Sequence, residues 1–225
     1  MHKARIHTLM TYLQLVQSVL RRLREDDTIT SVSDNSYSKL IGEFVNDAKR
    51  IVEDSWDWSS LRTTFTINTV ANTFSYQLTD SDVSLKTLDV INDTSNYFMR
   101  PVSSHWMNNA YLNSGVPNSS PVYYSWNGFS ETGEALIDLY PIPDKEYIIR
   151  VNAVDKKAPM VADSTNLYVP SNPVIHYAVA LASRERGETG GTSSAELFAI
   201  ADQTLGDMVA LDVARQEEET IWRPV

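Results

Sequence analysis

Four histidines, at positions 2, 7, 105 and 176, are the first residues to consider for acid–base or metal chemistry, and they are dispersed along the chain. A structural or catalytic zinc site needs ligands at short, defined spacings, and no HExxH pattern occurs. No run of carboxylates has the spacing of a calcium loop. Nucleophilic catalysis on a strand-to-helix elbow would need G-x-S-x-G, which is also missing. His176 stands among Val174, Ile175, Ala178 and Val179, where a half-buried, hydrogen-bonded imidazole is the plain reading. Two of the 29 acidic residues could act as a glycosidase pair, but that chemistry depends on a separation across a cleft that a sequence does not fix. Gly187, Gly190 and Gly191 lack the preceding strand and the lysine of a phosphate loop, and read as a turn between helices. With no cysteine there is neither a disulfide framework nor thiolate chemistry. We therefore expect no catalytic residue, no metal and no cofactor.

Residues suited to recognition are easier to find. Trp106, Trp126 and Tyr111 lie in an aromatic-rich middle section, as core or as an exposed partner surface. At positions 220–225 stand Thr220, Ile221, Trp222, Arg223, Pro224 and Val225, a short apolar hook after the acidic run Glu217 to Glu219. Trp and Arg are residue types that dominate interface energetics, and Pro224 prevents a helix from continuing. Nineteen basic residues against 29 acidic ones give a net charge of −10, which disfavours passive adhesion to nucleic acid or anionic lipid. The apolar stretch from Val174 to Ala182 is too short to span a bilayer, and no secretory segment follows Met1, so no membrane anchor is expected.

Around these residues the hydrophobic pattern changes period twice. Leu9, Leu13, Val16, Leu20 and Leu23 form one helical stripe, predicting a helix over about 9–24. Ser33, Asp34 or Asn35 can cap a second helix whose stripe runs through Tyr37, Ile41, Phe44, Ala48 and Ile51. From Thr63 the period becomes two, with about seven short strands up to Val154 and one short helix near 105–113. Helical pattern returns after Pro170, where Ser171 or Asn172 can cap, and again from Ser194 to about Glu217. The expected fold is α+β: an antiparallel helical bundle from the N- and C-terminal helix pairs (1–62 and 168–218), an inserted antiparallel β sandwich or barrel (63–167), and an extended tail (219–225).

Six segments, in this order, carry a resemblance that covers nearly the whole chain: YLQLVQSVLRRLRED, FVNDAKRIVEDSWDWSSLRTTFTI, RPVSSHW, SPVYYSWNG, LIDLYPIPDKEYIIRV and YVPSNPVIHYAVALASRERGE. The WDW after a helix, the LYPIPD turn and the proline-led helix together resemble the head-to-tail adaptor (tail tubular, connector-type) proteins of tailed bacteriophages, particularly short-tailed ones. The resemblance implies a structural virion protein of the neck, assembled in the host cytoplasm. It implies a ring of identical subunits, commonly twelve, that docks on the portal and carries the tail nozzle or next tail ring. Genome DNA would leave through the central channel without sequence-specific binding, and an acidic lumen would let it slide. The tail at 220–225 would dock on the portal; the other reading of the same residues is that Ile221 and Trp222 fold back on the chain's own bundle. Two alternatives stand beside this: a receptor- or glycan-binding tail component that uses Trp106 and Trp126 for stacking, and a virion-associated cell-wall hydrolase.

Overall fold

A computed structural model describes residues 9–81, 84–112, 115, 118–187 and 194–215. Along the chain come α1 (Tyr12–Arg22), α2 (Ser36–Ser55), a 3-10 turn (Ser59–Leu61), β1 (Arg62–Asn68), β2 (Ser75–Gln77), β3 (Lys86–Asn92), β4 (Tyr97–Phe98) and β5 (Arg100–Pro101). There follow α3 (Ser104–Leu112), β6 (Tyr123–Phe129), β7 (Ala135–Tyr140), β8 (Ile148–Val154), α4 (Ser171–Arg186) and α5 (Ser194–Val213). The fold is α+β, and its contacts divide into two units, Met1–Ser60 with Pro159–Val225, and Leu61–Ala158.

In the first unit α1 begins at a reciprocal capping box, in which Thr11 accepts from the Gln14 N–H and the Gln14 side chain accepts from the Thr11 N–H. Two further N–H groups of its first turn, which no helical carbonyl can take, donate to Thr165 O (from Tyr12, 2.8 Å) and Asp163 O (from Leu13, 3.2 Å). Residues 159–167 thus attach to the helices, helped by Asn46, which exchanges two hydrogen bonds with the Met160 backbone. The buried face of α1 is Tyr12, Leu15, Val16, Val19 and Leu20, so the stripe anchored on Leu9 and Leu23 is corrected. Two interleaved stripes fit the helical period, and packing against α2 and α4 selects the one centred on Leu15 and Val19.

Asn35 caps α2, whose core face is Ile41, Gly42, Val45, Ala48 and Val52. Gly42 is required by close approach: a Cβ there would stand 2.3 Å from Tyr12 Oη. The α4 helix packs on α1, α2 and α5, and is buried on most of its circumference. Neither Ser171 nor Asn172 caps it, since Pro170 occupies the cap without a side-chain bond. It ends at Gly187, whose φ of 63° is the left-handed conformation that glycine adopts without steric cost. The α5 helix ends at Val213, short of the expected Glu217, with Ala214 and Arg215 in a turn; Gly190, Gly191 and residues 216–217 lie outside the described residues.

The second unit holds two four-stranded sheets, ordered β1-β8-β3-β4 and β2-β7-β6-β5. Its buried cluster draws on both, with Ile67, Val90, Ile149 and Val151 from one and Tyr124, Ile137 and Leu139 from the other. The barrel alternative is overturned, because each sheet ends in edge strands and does not close on the other. The segment around Met99, which the period-two pattern reads as one strand from Tyr97 to Val102, is two short strands serving different sheets, split at the buried Met99. One pairing, β5 with β6, is parallel, which an all-antiparallel plan does not contain. The short helix appears as α3, lying on the β6–β7 face.

Candidate interaction site

Alternation along β6 sends Tyr124 to the buried core and Tyr123 to the opposite side, where α3 packs. There Trp106 meets Tyr123 at 5.0 Å between ring centroids and Tyr140 edge-on at 5.5 Å. Tyr111 joins the same strip through Tyr140 (5.9 Å) and Phe74 (4.6 Å). Its hydroxyl donates to Leu139 O at 3.0 Å, and burial, with Asp138 nearby, pushes the phenol well above its ordinary range. Trp106 keeps 39% of its surface exposed. Trp126 does not join this strip. It packs half-buried against the core beside Tyr124, and with Leu85, Gly128, Phe129 and Ala135 borders a pocket of about 130 Å³. Of the three aromatic residues singled out from sequence, the fold brings two together and places the third on the other side of its sheet.

Four carboxylates that the sequence reading did not single out are buried among the described residues: Glu53, Asp138, Asp155 and Asp212. Asp138, on β7, is 5% exposed, and its Oδ1 has no hydrogen-bond partner. Asp212, near the end of α5, accepts from Trp56 Nε1 (3.1 Å), the Ser59 N–H (3.0 Å) and the Ser59 hydroxyl. The only sequence signal for Asp212 was an acidic residue inside the apolar stripe of a helix. Beside it opens a groove of about 460 Å³, with Trp58, Leu167 and Val169 buried at its floor. Leu9, Tyr168 and Leu211 form its exposed rim, and Arg215 also lines it. Among the described residues of α5 only Ala201 and Asp212 are buried, while Ile200, Leu211 and Val213 face outward.

His176 is half-buried, with the Arg22 guanidinium 3.4 Å from its ring nitrogens. Burial first, and then the Arg22 charge, lower its pKa. The other end of that helix is tied by Arg186 to Glu25 (2.7 Å) and over the Tyr37 ring (4.8 Å). Among the described residues no group of three His, Asp or Glu side chains is arranged to hold a metal ion. No described helix is long and apolar enough to cross a membrane. Thr220, Ile221, Trp222, Arg223, Pro224 and Val225 lie outside the described residues.

An α+β chain with a groove lined largely by apolar residues, and whose last described helix leaves apolar side chains uncovered, has the character of an assembly component. The family comparison gives that class a name. Residues 10–224 match the SU10 adaptor protein family, and the chain belongs to it, in agreement with the resemblance to phage head-to-tail adaptors. No curated protein matches the chain. Family membership makes it a structural phage adaptor and a virion component that meets other virion proteins.

Proposed function

We propose that this adaptor forms a homo-oligomeric ring, of twelve subunits in the commonest arrangement, that joins the portal to the tail nozzle or the next tail ring of a short-tailed phage. The helices act as an antiparallel bundle that carries the subunit and portal contacts. The two sheets act as a sandwich that presents the Trp106–Tyr111 strip to the tail side or to a neighbouring subunit. The tail at 220–225 docks on the portal, and the subunits assemble in the host cytoplasm. Genome DNA passes through the ring without sequence-specific contacts, which a chain of net charge −10 favours, because it offers little basic surface to displace counterions from the phosphates.

The observation that carries this reading is α5. A twenty-residue helix that buries Ala201 and Asp212 and leaves Ile200, Leu211 and Val213 in water exposes apolar area that a second copy would cover. A ring needs two different exposed faces on each subunit, and the outward face of α5 supplies one of them.

Negative-stain images of the purified chain with and without a portal ring test the proposal. Ring-on-ring density supports it, and a persistent monomer in both samples refutes it. Leu211→Glu, at an exposed position, should leave the monomer folded and abolish ring formation.

A further inference from the structure

The β1 strand is the outer strand of its sheet, paired with β8 on one side. The Thr69 N–H donates to Tyr147 O at 2.9 Å and the Asp155 N–H to Leu61 O at 3.0 Å, which fixes the phase of the ladder between them. In an antiparallel pair, residues that bond across alternate with residues that point away. Thr63, Phe65 and Ile67 therefore bond to β8, while Thr64, Thr66 and Asn68 aim their N–H and C=O groups at the open side. Ile148, opposite Asn68, has the same phase: its N–H donates to Thr94 Oγ1 and its C=O accepts from the Asp93 N–H, both on the β3 side. Thr64, Thr66 and Asn68 are exposed, and among the described residues no backbone group bonds to their outward N–H and C=O. The other sheet edges are blunted, since β4 and β5 have two residues each, β2 has three, and β5 contains Pro101. By contrast β1 keeps seven residues in unbroken register with β8 and carries no proline, lysine or bulge, the devices that protect a long edge.

We infer that this edge takes an extended segment of a neighbouring virion protein as an added strand, with apolar side chains beside Phe65 and Ile67 and polar ones beside Thr64 and Thr66. The unpaired ladder groups select a strand, and the half-buried Phe65 and buried Ile67 select its apolar side. A second copy fits less well. Its other edges are too short to match, and two β1 edges can meet only about a two-fold axis, closing a dimer that joins the chain to nothing else. An adaptor meets other virion proteins, and that membership is enough here; neither the ring nor the tail at 220–225 enters.

Amide hydrogen exchange of the full chain, read residue by residue by NMR, tests this with the probe peptide acetyl-Lys-Thr-Val-Thr-Val-Thr-Lys-amide. The peptide should slow exchange at Thr64, Thr66 and Asn68 about tenfold and leave Phe65 and Ile67, already bonded to β8, unchanged. Methylating the backbone nitrogens of its threonines should abolish the protection if the strand adds antiparallel, and of its valines if it adds parallel; the other methylated peptide should retain it. No protection, or equal behaviour of the two methylated peptides, overturns the proposal. Thr66→Pro removes an outward donor and no bond to β8, a position where an edge strand tolerates proline, and it should also end the protection. With a purified portal ring or tail nozzle in place of the peptide, one of the two should protect the same three amides, and Thr66→Pro should weaken its capture about tenfold. Capture that leaves the three amides exchanging freely overturns the edge alone and leaves the adaptor reading standing. A dimer that Thr66→Pro splits makes a second copy the occupant and overturns the proposal as well.

Discussion

Trp56 Nε1 donates to Asp212 Oδ2 at 3.1 Å, joining the turn after α2 to the last turn of α5 across 156 residues of sequence. The Ser59 backbone N–H donates to the same oxygen, so one buried carboxylate fixes the start of the 3-10 turn and the groove wall that carries Leu211. A buried charge is tolerated when its lone pairs are taken by donors, and three donors converge here.

Asp212→Ala should destabilise the protein by about 3 kcal/mol, since hydrogen bonds to a charged group contribute roughly 1.5–3 kcal/mol each and the donors left behind stay desolvated. Urea unfolding followed by tryptophan fluorescence measures this. An unchanged midpoint would show that α5 is not anchored through this residue.

Gly42→Ala should cost about 1–3 kcal/mol, because the new methyl would meet Tyr12 Oη at 2.3 Å and Val32 Cγ1 at 2.8 Å. Adding Tyr12→Phe removes the closest of these atoms and should recover part of the loss. Additive effects in the double variant would contradict a direct clash.

Asp138→Asn should raise stability by about 1 kcal/mol, because it removes a buried charge with an unpartnered oxygen and leaves the volume of the side chain unchanged. Thermal and urea denaturation of the two proteins decide it, and a loss of stability would show that the carboxylate is paired in solution.

His176 sets a pH dependence. Burial and Arg22 hold its folded-state pKa below the ordinary 6.5, so the unfolded chain binds the extra proton first. Stability should be fully present above about pH 6.5 and decline as the pH falls from there through the lower folded-state value. His176→Gln should flatten that part of the profile without altering the decline below about pH 4, where the carboxylates protonate. An identical profile in the variant would remove His176 as its source.

The sequence by itself determined what is local: the helical and strand periods, a cap for α2 among Ser33, Asp34 and Asn35, the short helix between strands, the glycine at the end of α4, and the motif order that marks the adaptor family. These follow from side-chain geometry within a few residues, which any reading of spacing captures. Tertiary structure decided which of two stripes α1 buries, how residues 97–102 divide between sheets, the parallel pairing of β5 with β6, and the separation of Trp126 from Trp106 and Tyr111. It also decided that Asp212 meets Trp56 and that Arg22 meets His176, contacts 156 and 154 residues apart. No local period encodes such contacts. They arise when distant segments compete for the same buried surface, and the winner depends on the packing of the whole unit.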